Sequence, residues 1–304
     1  MKIKVLESSE IDKSKWNDYV SKSYNASFYG YTHYLDNICP QWCALIIGNY
    51  DYIIPLPYKK FLWFRIVYMP LFTIRFSIFS KNEIDNSFIN NIFNFIPSKY
   101  KFLAFNIDNF ESNNFRFISF KKNYQKLKLD KPYSELYLNY SKSHKKNILK
   151  AQKQNIEIFK STDFDKLISM QKELFIKKSL KIKNKHYLQL SKFFKYVIDN
   201  NLAFLLQAKK QDKVYCSVLF FEYKNIVTFF SATNEEGKKN GSFFLLMDYY
   251  IRNNSNSPKL IDFAGSSIQG IKERNLGFGA ENFEYFSIWS KDLYILYNIL
   301  KKRR

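Results

Sequence analysis

Eight glycines in 304 residues leave this chain few places where its backbone can turn through positive φ without a steric cost. Average usage of about 7% would give roughly 21. Six of the eight, Gly237, Gly241, Gly265, Gly270, Gly277 and Gly279, fall between positions 237 and 279. Where glycine is otherwise replaced by bulkier residues, those that remain mark positions needing positive φ or close approach by another group. The segment 237–279 is therefore the first place to look for a site.

Charge is the louder signal but the less specific one. The chain carries 48 Lys+Arg against 27 Asp+Glu, a net charge of +21, which invites an anionic partner. Only seven of those cations are Arg, and Lys lacks the planar donor fork that reads phosphates and bases. A general bias toward Lys accounts for much of the excess. What remains local is two strips: 141–160, with six Lys and one Glu, and 172–195, with eight Lys and one Glu.

With 46% hydrophobic and 19% aromatic residues the chain should fold rather than stay disordered. No uncharged apolar run of about 18 residues occurs, so no stable membrane insertion is expected, and the first residues lack an apolar leader, so a cytoplasmic location is expected. Cys39, Cys43 and Cys216 read as buried reduced thiols. Cys39-x3-Cys43 has no second Cys/His pair, so no metal site is expected.

Hydrophobic periodicity predicts a mixed α/β chain. Helical patches over 10–38 precede β-character at 43–48, 52–57 and 61–79, a helix over 83–95, and strands at 101–107 and 115–121. From 134 the order is helix, strand (156–160), helices (164–178 and 186–200), and strands (202–208, 214–222 and 226–233). A Gly-bearing turn, a helix (242–252), a strand (259–263), a short helix and a last strand (283–288) follow. No low-complexity linker divides the halves, and the boundary is placed between 1–128 and 129–304.

Two constellations carry chemistry. In the first, a strand, a turn and a helix N-terminus follow one another over 231–252. Unpaired amides of Gly241, Ser242 and Phe243 plus the helix dipole would make an anion site beside Lys238, Lys239 and Asn240; the alternative is a plain glycine turn. In the second, Asp262 sits near a strand end, with Gly265 and Ser266 after it and Glu273 and Arg274 on a short helix. Asp262 could bind an amine, act as a base, or cap the next helix.

The motifs Trp16-Asn-Asp-Tyr-Val, Ile54-Pro-Leu-Pro-Tyr-Lys-Lys60 and Met69-Pro-Leu-Phe72 in the first half resemble the FemABX-like group. So do Ser143-His-Lys-Lys-Asn-Ile148, Lys239-Asn-Gly-Ser242, Ile261-Asp-Phe-Ala-Gly-Ser266 and Gly277-Phe-Gly-Ala280 in the second. The resemblance implies two tandem GNAT-like acyltransferase domains with central mixed sheets. It implies that Asn240-Gly-Ser242 holds the pyrophosphate of acetyl-CoA or another acyl-CoA. Strands 214–222 and 226–233 would splay to admit the acyl group, while Lys145, Gly265, Ser266 and Arg274 would face substrate. The leading expectation is transfer from acyl-CoA to a small-molecule or peptide amine, with Asp262, Glu273 or Glu222 as base. The alternative is an aminoacyl-tRNA-dependent peptidyltransferase acting on a peptidoglycan precursor, with tRNA bound by the Lys strips. Against it, peptidyltransferase members carry Phe-Lys before x-x-Phe-Gly, where this chain has Arg274-Asn275. A non-catalytic binding module of the same fold is the third reading.

Overall fold

In chain order the elements of the computed structural model begin with β1 (Ile3–Glu7), α1 (Lys13–Lys22), α2 (Thr32–Ile38), β2 (Trp42–Ile47), β3 (Tyr52–Phe61), β4 (Phe64–Tyr68) and β5 (Phe79–Ser80). They continue with α3 (Asn86–Asn94), β6 (Tyr100–Leu103), β7 (Phe105–Asp108), β8 (Phe117–Lys128), α4 (Tyr133–Leu138), α5 (Lys142–Lys153), β9 (Glu157–Ser161), α6 (Asp165–Lys177) and α7 (Asn184–Asp199). Then come β10 (Ala203–Lys210), β11 (Lys213–Tyr223), β12 (Ile226–Thr233), α8 (Glu235–Asn240), α9 (Ser242–Asn253), β13 (Leu260–Asp262), α10 (Gln269–Leu276), β14 (Glu281–Ser290) and α11 (Lys291–Lys302). The structure describes residues 3–108, 110, 115–264 and 268–302.

The chain divides into two units, one of Met1–Asn123 with Phe283–Arg304 and one of Tyr124–Asn282. This differs from the sequence-based boundary at 128/129, which let the second domain run to 304. The reason is pairing that no local pattern encodes: β14 returns to lie antiparallel to β7, matching Phe286 to Ile107 and Ile288 to Phe105. The Ser290 hydroxyl takes the amide of Phe102 at 2.8 Å.

In the first unit β1, β2, β3, β4 and β6 are neighbours in that order, and β5 also pairs with β3. Asp12 starts α1 by accepting the Lys15 amide, and this places Trp16 fully inside, where its indole N–H donates to the Gly30 carbonyl. A buried ion pair, Arg75 Nε to Asp108 at 2.8 Å, is completed by the Ser77 hydroxyl on the other carboxylate oxygen.

In the second unit β9, β10, β11 and β12 form an antiparallel run, β13 joins β12 in parallel, and the end of β8 pairs antiparallel with β13. Helix α9 lies over this sheet with α5 beside it. Its inward residues Phe243, Leu246, Met247 and Tyr250 pack with Val218, Phe220, Val227 and Ile261 from the strands and Ile148 and Ala151 from α5. Burying each such side chain contributes about 1.5–3 kcal/mol. On the opposite face α6 packs against β12, and Phe194 of α7 meets Phe230 of β12 edge to face. The mixed α/β architecture expected from the sequence, with mixed sheets and two units, is the one found.

Candidate functional site

Strand β12 is zipped to β11 along its whole length, from Cys216 opposite Thr233 to Tyr223 opposite Ile226. The expected splaying of 214–222 from 226–233 therefore does not occur. A hairpin closed by the two residues Lys224 and Asn225 holds its strands together from the turn outward. The strands that part are β12 and β13. They match Ile226 to Leu260 and Val227 to Ile261, after which the ladder stops while β12 continues to Thr233. Parallel strands are joined only through a long crossover, here α8 and α9, so nothing local keeps them paired. The chain leaves β13 sharply: Asp262 Oδ1 accepts the Ala264 amide at 2.8 Å, and Ala264 has a φ of 62°.

Side chains alternate across a strand, so the two faces of this fork differ. Val227, Ile261 and then Phe263 face α9, and Phe229 meets Phe263 at 5.7 Å across the fork. Thr228 and Asp262 face the other way, toward α6, and both are buried. Among the described residues the Thr228 hydroxyl has no hydrogen-bond partner there, and neither has Oε1 of the buried Gln171 on α6. Buried polar atoms are nearly always paired, so two unpaired ones on one face, beside a carboxylate at a strand end, are what a polar ligand would complete.

On the α9 face, Arg274 of α10 lays its guanidinium 4.1 Å from the centre of the Phe243 ring. Its Nε is buried without a hydrogen-bond partner, its Nη2 reaches Asn275 Oδ1 at 3.3 Å, and among the described residues no carboxylate pairs with it. Burial lowers its pKa to about 10, which leaves it charged at neutral pH. Asn275, at the position matching the family's lysine, is fully buried and donates to Gln125 Oε1 at 3.0 Å, while Gln125 Nε2 donates to Asn282 at 3.0 Å. That position is a structural amide here, and the cation stands one residue earlier.

The glycine loop is closely packed. Gly241, with a φ of 84°, ends α8 and begins α9, and its amide donates to the Gly237 carbonyl at 3.1 Å. The Ser242 amide donates to Asn240 Oδ1 at 3.0 Å, and the Ser242 hydroxyl donates to the same oxygen. The space over Gly241 is filled by α5, for a Cβ there would stand 2.3 Å from the Asn147 carbonyl oxygen. Asn240, Ser242 and Phe243 are buried, and Lys238 and Lys239 are exposed, Lys238 paired with Glu235 at 2.7 Å. Of the three amides expected to bind a CoA pyrophosphate, those of Gly241 and Ser242 are already engaged within the loop.

The remaining candidates separate. Glu222 is tied to Lys259 at 2.9 and 3.0 Å and accepts the Tyr250 hydroxyl, on the α9 face by the β11–β12 turn. Glu273 is exposed and holds Gln269 at 2.8 Å. Lys145 donates to the Leu138 carbonyl at 3.1 Å, closing the end of α4. Gly265 and Ser266 lie outside the described residues.

Sequence reasoning also missed His144. Its Nε2–H donates to the Arg274 carbonyl at 2.8 Å, its Nδ1 accepts from Ser141 at 2.7 Å, and its ring stands edge-on to Phe244 and Phe278. Gly277 is glycine because a Cβ would lie 2.0 Å from that ring. The histidine thus locks α5 to α10 and sets where Arg274 sits; burial lowers its pKa, so it is held neutral.

This architecture, two units with a sheet that forks between parallel strands in the second, is a fold shared with FemX. Among solved structures, FemX is similar with a TM-score of 0.65 and 13% identity, over 97% of this chain and 99% of FemX. A conserved protein of unknown function from Bacteroides thetaiotaomicron matches with 0.61 and 10%, over 92% and 97%. L-PGS from Bacillus licheniformis matches with 0.52 and 9%, over 92% of each chain. No protein-family model matches the sequence, and no curated protein matches it. Among the described residues no helix is long and apolar enough to cross a membrane.

Proposed function

We propose that the second unit is an acyltransferase that acylates an amine in the β12–β13 fork, drawing the acyl group from an aminoacyl-tRNA. The observation that carries this reading is the fork itself, with Thr228 and Asp262 on the face that α6 covers and the buried Gln171 on α6. Where the ladder stops, main-chain amides of β12 lose their strand partner and can meet the oxyanion that forms at an acyl carbonyl. An acceptor amine arrives as an ammonium and needs hydrogen-bond acceptors; Gln171 Oε1 and the Asp262 carboxylate supply them. Asp262 takes one proton, the amine nitrogen then attacks the ester carbon, the carbon–oxygen bond to the ribose breaks, and the second amine proton goes to the departing ribose oxygen. Arg274, charged and unpaired on the other face, meets negative charge on the donor side.

The filled loop at Gly241 favours the tRNA ester over acyl-CoA, and the exposed lysines 142, 146, 150 and 153 on α5 provide phosphate contacts. The test is to supply the full chain with bulk tRNA carrying labelled amino acids, or with labelled acetyl-CoA, together with amine-bearing cell-wall precursors. Label should move from tRNA, and Asp262→Asn should slow transfer by about 10²-fold or more with unchanged circular dichroism. Transfer from acetyl-CoA alone would overturn the donor. Tight binding of charged tRNA without transfer would make the chain a binding module.

A further inference from the structure

A second feature, independent of the fork, lies in the first unit at the turn between β3 and β4. Phe61 pairs with Phe64, so Leu62 and Trp63 alone reverse the chain. The segment reads Lys59-Lys60-Phe61-Leu62-Trp63-Phe64-Arg65. Phe61 is 60% exposed, Leu62 73% and Trp63 72%.

Folding does not account for these residues. Leu62 has a φ of 53°, a conformation in which a hairpin turn ordinarily carries glycine or asparagine. Other hairpin turns of this chain also put a non-glycine residue at positive φ, but a polar one, Gln211 and Lys224, whereas here a leucine stands in water. Behind the apolar tip positive charge predominates. Lys59 and Lys60 are exposed, Lys99 is exposed next to β4, and Lys101 Nζ lies 5.4 Å from the Phe64 ring. From position 52 to 82 the sequence holds no Asp or Glu. Glu7 is already engaged by Arg65 and Tyr58, and Asp292 by Lys101.

We propose that this hairpin tip docks the protein on an anionic lipid bilayer, with Leu62 and Trp63 entering the boundary between headgroups and acyl chains and Lys59 and Lys60 meeting lipid phosphates. A convex apolar tip needs a deformable apolar layer, and a collar of lysines needs a negative plane just above it. An anionic bilayer supplies both at that spacing. A nucleic acid supplies phosphate but no apolar layer for a leucine at the apex.

Flotation with phosphatidylglycerol/phosphatidylcholine vesicles tests this on the full chain. The wild type should float with anionic vesicles and not with phosphatidylcholine alone. Its tryptophan emission should shift to the blue and be quenched by brominated acyl chains. Trp63→Phe should keep the binding and lose that shift and quenching, since Trp16 and Trp42 are buried and Trp289, partly covered by Tyr294 and Tyr297, is not at the tip. Leu62→Ser with Trp63→Ser should weaken partitioning by about tenfold or more. Both side chains are exposed, so its melting temperature should match the wild type's. Three results would overturn the proposal: no flotation at low salt, flotation unchanged in the double variant, or a tip that instead supports concentration-dependent dimers which the variant abolishes.

Discussion

His33 shows how one side chain couples burial to pH. Its ring stacks on Tyr31 at 5.3 Å and leans on Phe28, and burial lowers its pKa to about 4 despite the opposing pull of Asp36. In the unfolded chain the same ring titrates near 6.5. Between those values the unfolded state binds a proton that the folded state does not. The stability is therefore complete above pH 6.5 and is lost as pH falls toward 4, by about 2 kcal/mol from this group. Urea denaturation at pH 7 and pH 4.5 should show that decline in the wild type, and a smaller one in His33→Phe. An equal decline in both would place the effect elsewhere. In the second unit, Thr228→Val removes a buried hydroxyl that bonds nothing among the described residues, so it should leave stability within about 1 kcal/mol while slowing transfer. A loss of stability with normal transfer would make Thr228 a core residue and nothing more. Thr228 and Gln171 carry no motif, and only folding shows that their polar atoms are buried without partners. Asp262 stands out as a candidate from the sequence alone, since a carboxylate at the end of an apolar strand is conspicuous, and the structure places it buried at the end of β13.

At the scale of elements, local pattern located most pieces and misjudged how two of them pair. The helix expected over 242–252 is α9, and the strand expected over 226–233 is β12. The residues between them read as a turn because of their glycine and lysines, yet 235–240 form the short helix α8, capped by the Asn234 side chain on the Gly237 amide. Which strands part is a property of partners far apart in sequence, so periodicity could not choose β13 over β11. The clustered glycines likewise mark close packing more than ligand contact: Gly237, Gly241 and Gly277 each leave no room for a Cβ, whereas Gly270 has none of its surroundings within 4 Å. Gly241→Ala combines a φ of 84° with a clash against main chain of α5 and should cost about 3 kcal/mol or more. Gly270→Ala, inside α10, should stabilise by about 0.5–1 kcal/mol. Thermal melts of the two variants decide the matter. A Gly241→Ala protein of normal stability with altered donor affinity would restore the loop to the binding site.

At the scale of the whole molecule, the boundary read from sequence tests how far the first unit depends on the far end of the chain. A fragment 1–128 would contain every element of that unit except β14 and α11. Strand β7 would then lose the partner that matches Ile107 to Phe286 and Phe105 to Ile288. The Phe102 amide would lose the Ser290 hydroxyl, and Lys101 the Asp292 carboxylate. Phe102, Phe105 and Ile107 are all fully buried in the intact protein. An uncovered strand edge with apolar side chains is a template for pairing with other chains, so the fragment should aggregate. Supplying 283–304 through a short linker after residue 123 restores those contacts and should yield a soluble, cooperatively melting unit. If 1–128 alone is monomeric and melts with the same midpoint as the linked form, β14 is an accessory of the first unit rather than part of its core.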